Sequence, residues 1–297
     1  MPLFHANGAQ STPYDILSML KCLRGYDTVL ILGVSGCIFL PIFRLLYRKR
    51  LIVNIDGLEH RRAKWGKFAK WFLRTSEAMA VKYADVVIAD NKGIQDYVKE
   101  TYDMPSELIA YGGDHAQRDV PEAQQLETLQ KYQVKAGEYA VSVCRIEPEN
   151  NSHIICEAFA ASGKKLVFVG NWERSEYSRE LKKKYSQYRN IRMVDSVYDL
   201  DELYALRNQC SCYVHGHSAG GTNPSLVEAM FFGKPILAFD VVYNRETTEN
   251  RAYYFKNSKQ LVELLAQKEK DGKPMKEIAK RRYTWEHVAE QYEALYD

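Results

Sequence analysis

The chain has 297 residues, of which 46% are hydrophobic and 27% charged, with a formal net charge of +3 at pH 7. That is long enough to bury one large core or two ordinary ones, and it excludes a disordered or fibrous chain. Cysteines stand at 22, 37, 144, 156, 210 and 212 with no CxxC pair and no histidine at ligand spacing; they read as core residues in a reducing cytoplasm, not as metal ligands or disulfides.

In chain order, residues 1–14 lack the charged start and apolar run of a signal peptide. Residues 14–23 carry a helical pattern and Thr28–Leu32 a strand. The most apolar stretch, 28–43, is broken by Gly33, Gly36 and Pro41 and falls short of the roughly 20 residues that span a bilayer, so it predicts strand, turn and helix. From 44 to 74 the chain carries Arg44, Arg48, Lys49, Arg50, Arg61, Arg62, Lys64, Lys67, Lys70 and Arg74 against Asp56 and Glu59, a local +8 within an overall +3. Residues 61–74 form an amphipathic helical pattern, with Trp65, Phe68 and Phe72 clustered opposite Lys67, Lys70 and Arg74. Two readings stand: a core helix with a solvated face, or a surface joined by Trp71 and the bases at 44–50 that rests on anionic lipid.

Strand-like runs continue at 51–55 and 85–89, more weakly at 107–110, and again at 139–144, Lys165–Val169, Ile191–Val194, 211–214, 235–239 and 252–255. Apolar runs alternating with helices are the mark of parallel sheets covered on both faces. The alternation breaks near 114–122, a linker that divides a first domain (1–117) from a second (118–282). The end of the chain, 283–297, is an amphipathic helix with Trp285, Val288, Tyr292 and Leu295 on one face, assigned to the first domain. The expected fold is therefore α/β, with two Rossmann-like domains. The first lacks the opening strand and Gly-rich turn of such a half, and no GxGxxG occurs. Met1 is accordingly expected to be an internal methionine of a longer frame, or the gene to be clipped.

Open α/β sheets bind ligands beyond the carboxyl ends of their strands. After 139–144 comes Arg145-Ile-Glu-Pro-Glu-Asn-Asn151, where Arg145 forks onto phosphate oxygens or pairs with Glu147 or Glu149. Gly170-Asn-Trp follows the next strand. Asp199-Leu-Asp201 spells a DxD pattern, better read as a helix N-cap. After 211–214 comes Gly216-His-Ser-Ala-Gly-Gly-Thr-Asn-Pro-Ser-Leu-Val-Glu-Ala-Met230. Gly220 and Gly221 free the backbone there, and Thr222 or Asn223 caps a helix opened by Pro224. Glu228 then meets ribose hydroxyls, or else pairs with Lys234 or Arg245. In the first half, Asp56-Gly-Leu-Glu59-His60 closes a strand as a substrate-side candidate or a capped turn.

Val143–Asn151, Gly170, 194–203 and 215–230 followed by Gly233-Lys-Pro together resemble the retaining family-4 glycosyltransferases of GT-B fold. Val53–Glu59 and Ala89–Ile94 are most similar to their bacterial rhamnosyltransferase-like branch of capsule and O-antigen synthesis. The resemblance implies transfer of rhamnose or a hexose from a nucleotide diphosphate to a lipid-linked glycan in surface polysaccharide synthesis, at the cytoplasmic face of the plasma membrane. It implies no metal, no further cofactor and no nucleic acid partner. Arg145 would hold the pyrophosphate, with Asn150 where the family has Lys. Gly170 would border the donor and Val197 its base. Gly220, Gly221, Thr222 and Asn223 would face the sugar, the amides of Ser225, Leu226 and Val227 the distal phosphate, and Glu228 the ribose. Asp56, placed where the family has a catalytic His, would join Glu59 and His217 on the acceptor side. Gly220 replaces the first acid of the family's Glu-x7-Glu pair. The rival expectation is a truncated, non-catalytic remnant that binds nucleotide sugars.

Overall fold

The computed structural model describes residues 10–62 and 65–296. Its elements run α1 (Ser11–Lys21), β1 (Thr28–Leu32), α2 (Leu40–Leu46), β2 (Arg50–Asn54), α3 (Lys67–Tyr83), β3 (Val86–Ala89), α4 (Lys92–Tyr102), β4 (Glu107–Leu108) and α5 (Glu122–Lys131). Then come β5 (Tyr139–Val143), α6 (Ser152–Ser162), β6 (Lys165–Val169), α7 (Glu176–Tyr185), β7 (Ile191–Val194), α8 (Leu200–Asn208), β8 (Cys212–His215) and α9 (Pro224–Met230). The chain closes with β9 (Ile236–Phe239), α10 (Val242–Thr247), β10 (Tyr253–Phe255), α11 (Ser258–Ala266), α12 (Lys273–Arg282) and α13 (Trp285–Glu293).

Two compact units result. One holds residues up to Ala110 with Ala219–Gly221 and the residues from Glu290 onward; the other holds Tyr111–Ser218 with Thr222–Ala289. The sequence reading put the boundary at 117 and gave all of 283–297 to the first domain. The contacts differ because 111–115 packs within the second unit: Gly113 N–H donates to Tyr283 O at 2.8 Å, and Trp285 N–H to Asp114 Oδ1 at 2.9 Å.

The first unit carries a parallel sheet in the order β1-β2-β3-β4. Leu51, Ile52 and Val53 of β2 are fully buried, as continuous apolar runs in covered parallel strands require. The expected 61–74 helix is displaced: α3 begins after Gly66, and its buried face is Leu73, Ser76, Glu77, Ala80 and Val81. Phe68 and Trp71 are exposed rather than packed into a core. Glu77 can be buried because it accepts hydrogen bonds from the hydroxyls of Tyr97 and Tyr102, both at 2.8 Å, and faces His60 Nδ1 at 3.0 Å.

The second unit's sheet runs β10-β9-β8-β5-β6-β7, all parallel. Phe159, Phe168, Trp172 and Phe255 fill its core. Burial raises the Cys210 thiol and takes that of Cys212 to about 11, so both are inert core residues. Strand order reverses between β5 and β8, and at such a switch point two consecutive loops part to opposite sides and leave a crevice.

Candidate functional site

The crevice beyond β5 and β8 is a cleft of about 510 Å³, bordered by Arg145, Asn150, Gly170, Arg174, Val197, Tyr198, Arg207, Asn223, Ser225 and Glu228. Four strand ends contribute to it, which is why residues scattered from 143 to 228 meet. The loops after β5 and β8 are zipped together. Asn151 Nδ2 donates to Gly216 O at 2.8 Å, and Ser218 donates through both its amide and its hydroxyl to Glu149 O at 2.9 Å.

Arg145 lies half exposed at the rim, 3.9 Å from Glu147, a separation that leaves its guanidinium available to an anion. Asn150 is buried, and its amide is engaged on both sides within the protein. Its Nδ2 donates to Arg145 O at 2.6 Å, and its Oδ1 faces His217 Nδ1 at 2.6 Å. Because the amide nitrogen is the donor to Arg145, Oδ1 accepts and His217 carries its proton on Nδ1. Asn150 thus fixes the Arg145 backbone. His217, expected on the acceptor side, is drawn into the second unit by this bond and by Asn244 Nδ2 donating to its carbonyl at 2.8 Å.

The start of α9 corrects another expectation. Asn223 caps it, with Ser225 N–H donating to Asn223 Oδ1 at 3.0 Å. Leu226 N–H and Val227 N–H both donate to Asn223 O, at 3.0 and 3.1 Å, and both side chains are fully buried. These three amides are committed to the cap rather than presented to a distal phosphate. Ala219–Gly221 group with the first unit, where Gly220 has φ +88° and a Cβ on Gly221 would sit 1.7 Å from Asp90 Oδ1. Glycine is therefore required by close packing there. Gly170 serves packing too, since a Cβ would meet Cys144 O at 2.5 Å.

Glu228 is placed as expected but partnered differently. Its Oε2 accepts from Arg207 at 2.5 Å and its Oε1 lies 3.3 Å from His115 Nε2, whereas the anticipated partner Arg245 binds Asp240 at 2.5 Å. Arg207 is 5% exposed. The sequence reading missed it; it sits beside Ala205 and Leu206 on the buried part of α8, where no local pattern marks a charged residue as buried. Asp199 caps α8, accepting from Asp201 N–H at 2.9 Å, so the DxD pattern is a cap. Asp201 pairs with Arg118. Among the described residues no three His, Cys, Asp or Glu side chains converge as a metal-ligand set. Burial raises the Cys144 thiol at the cleft wall to about 12, which removes it as a nucleophile at neutral pH.

The first unit has its own cavity of about 660 Å³, bordered by Gly33, Ser35, Asp56, Glu59, Trp65, Phe68 and Phe72. Asp56 takes the left-handed φ of +54°, and its amide donates to Asn54 Oδ1 at 2.9 Å. Glu59 accepts from Arg62 at 2.6 Å and from Trp65 Nε1 at 3.2 Å. Asp56 and Glu59 both border this cavity.

Two parallel-sheet Rossmann-like units, the second with a strand-end cleft holding arginines and one acid, define a protein of the GT-B class. Residues 124–285 match the family model described as glycosyl transferases group 1, and the chain belongs to that family. Residues 7–114 match a model described as a domain of unknown function, DUF1972. The fold is similar to that of Anabaena HepE in complex with UDP and glucose, with TM-score 0.79 and 16% identity over 99% of this chain and 83% of that one. Sucrose-phosphate synthase from Thermosynechococcus elongatus gives TM-score 0.80 and 18% identity over 100% and 80%. The pneumococcal O-GlcNAc transferase GtfA, in complex with UDP and GlcNAc, gives 0.66 and 12% over 96% and 60%. No curated protein matches the chain.

Proposed function

We propose that this glycosyltransferase takes rhamnose or a hexose from a nucleotide diphosphate and transfers it, with retention, to a lipid-linked glycan of surface polysaccharide. The observation that carries the donor half is the meeting of Arg145, Arg174, Tyr198 and Glu228 around one cleft at the switch point of the second sheet. Each group suits one part of such a donor. Tyr198, 87% exposed at the rim, offers a face on which a base stacks. Glu228 accepts from ribose hydroxyls. Arg145 and Arg174 hold the diphosphate and stabilise the charge that grows on it as the sugar leaves, usually the largest single contribution to such a reaction. We assign charge neutralisation to these guanidinium groups and expect no metal requirement and no further cofactor. The solved structures of similar fold that contain UDP support the same class of donor.

For the acceptor half, Asp56 and Glu59 stand at a largely apolar cavity, with Asp56 as the group that would approach the acceptor hydroxyl. Nearby surfaces support a peripheral seat on anionic lipid at the inner face of the plasma membrane. Phe68 (77% exposed) and Trp71 lie on α3, and Ile42, Leu45 and Leu46 on the adjacent α2. Of the bases, Arg44 and Lys49 pair with Asp85 and Asp27, while Lys67, Lys70 and Arg74 enter no ion pair among the described residues. Lys64 lies outside the described residues. No helix among them is long and apolar enough to cross a membrane.

A thermal-shift screen of nucleotide sugars, followed by measurement of nucleoside diphosphate release with a lipid-linked acceptor, tests the reading. Stabilisation by one donor and acceptor-dependent release are expected. Binding without release under any acceptor would favour a non-catalytic binding protein. Phe68→Ser with Trp71→Ser should abolish flotation with phosphatidylglycerol vesicles; unchanged flotation would remove the membrane assignment.

A further inference from the structure

The segment Gly112-Gly113-Asp114-His115, whose last two residues were expected to open a linker, is built against both α9 and α13. A Cβ on Gly112 would sit 2.5 Å from the Trp285 ring, and one on Gly113 would sit 2.9 Å from Glu228 N. Asp114 holds the Trp285 amide. His115 then lies between the two helices, with Trp285 Nε1 at 2.9 Å from its Nδ1 and Glu228 Oε1 at 3.3 Å from its Nε2. An indole N–H can only donate, so Nδ1 is the acceptor and the neutral ring carries its proton on Nε2, the nitrogen nearer the carboxylate.

We propose that His115 is a positioning residue for the donor, setting the carboxylate of Glu228 to receive the ribose diol. The inference rests on Glu228 being the ribose-binding acid of the donor cleft. A carboxylate offers about four lone-pair sites. Arg207 donates to Oε2, and His115 Nε2 stands 3.3 Å from Oε1 as a polar contact short of a hydrogen bond, which leaves lone pairs on both oxygens for two neighbouring hydroxyls. Without His115 the carboxylate is held at one oxygen only and rotates about its last bond. Trp285 acts one step further back, by fixing the imidazole tautomer; this is the same second tier of hydrogen bonding that orients histidines elsewhere.

The test is calorimetric titration of the whole chain with UDP, GDP and ADP, then with the 2′-deoxy counterpart of the tightest. His115→Ala should weaken the ribonucleotide about tenfold, the size of one ribose hydroxyl's hydrogen bond to a correctly turned carboxylate. Against the 2′-deoxy nucleotide the loss should shrink to less than about threefold, because one of the two hydroxyls is gone. Trp285→Phe, which keeps a ring over Gly112, should reproduce the effect in part. Equal losses for both nucleotides would show that His115 serves only local packing, and an unchanged affinity would overturn the proposal outright. Failure of the donor reading has a different signature: no nucleoside diphosphate binds the wild-type chain, or Glu228→Ala binds it unchanged.

Discussion

Replacing Glu228 by alanine should do two separable things. It removes the proposed acceptor of two ribose hydroxyls; at about 1.5 kcal/mol for each bond to a charged group, nucleoside diphosphate affinity should fall by roughly two orders of magnitude. It also strips Arg207, 5% exposed, of the carboxylate 2.5 Å away. A buried charge left alone costs about 3 kcal/mol, and in a domain of this size that lowers the melting temperature by about 6–12 °C. The two effects part company in Arg207→Met with Glu228→Leu. An apolar pair of similar volume replaces the ion pair at little cost, so most of the melting temperature returns while nucleotide affinity stays lost. Differential scanning fluorimetry and isothermal titration calorimetry on the three proteins read both quantities. A double variant no more stable than Glu228→Ala, or one that regains nucleotide binding, would refute the reasoning.

Two further substitutions probe the framework. A Cβ on Gly216 would sit 2.1 Å from Asn150 O. Gly216→Ala should therefore destabilise by about 1–3 kcal/mol, displace the loop that carries Arg145 and weaken nucleotide binding; wild-type melting would show that the loops are not zipped as described. Burial alone would raise the Glu77 carboxyl, but His60, Tyr102 and Tyr97 more than offset this and hold it below its usual value of 4.5. A carboxyl lowered in the folded state contributes stability above that value and loses it as pH falls through the lowered one. Glu77→Gln should cost about 2–3 kcal/mol at pH 7 and flatten the acid limb of the stability curve. A variant with the parent's acid limb would contradict this.

The strands were legible because parallel strands covered on both faces need continuous apolar runs. All ten were anticipated within a residue or two, including the short Glu107–Leu108. The candidate cleft was legible for a related reason: residues that follow strand ends converge once strand order is known, and Arg145, Val197 and Glu228 do so. What sequence hid were partners rather than positions. Arg207 reads as a surface charge until its counter-ion is seen, and His115 reads as linker. Periodicity placed Phe68 on a face that could be core or surface, and the structure exposes it, while Glu77 is buried through hydrogen bonds that no local pattern records. The amides after Pro224 were expected to await a phosphate, but Asn223 takes all three.

The measurement that bears most directly on the donor cleft is calorimetric titration of nucleoside diphosphates, with the matching nucleosides, into the wild-type chain and Arg145→Ala. The expected result is binding of at least one diphosphate to the wild type, weakened about tenfold or more in the variant, with nucleoside affinity unchanged. Equal diphosphate affinity in the two proteins, or no binding to the wild type, would contradict the assignment of this cleft as the donor site.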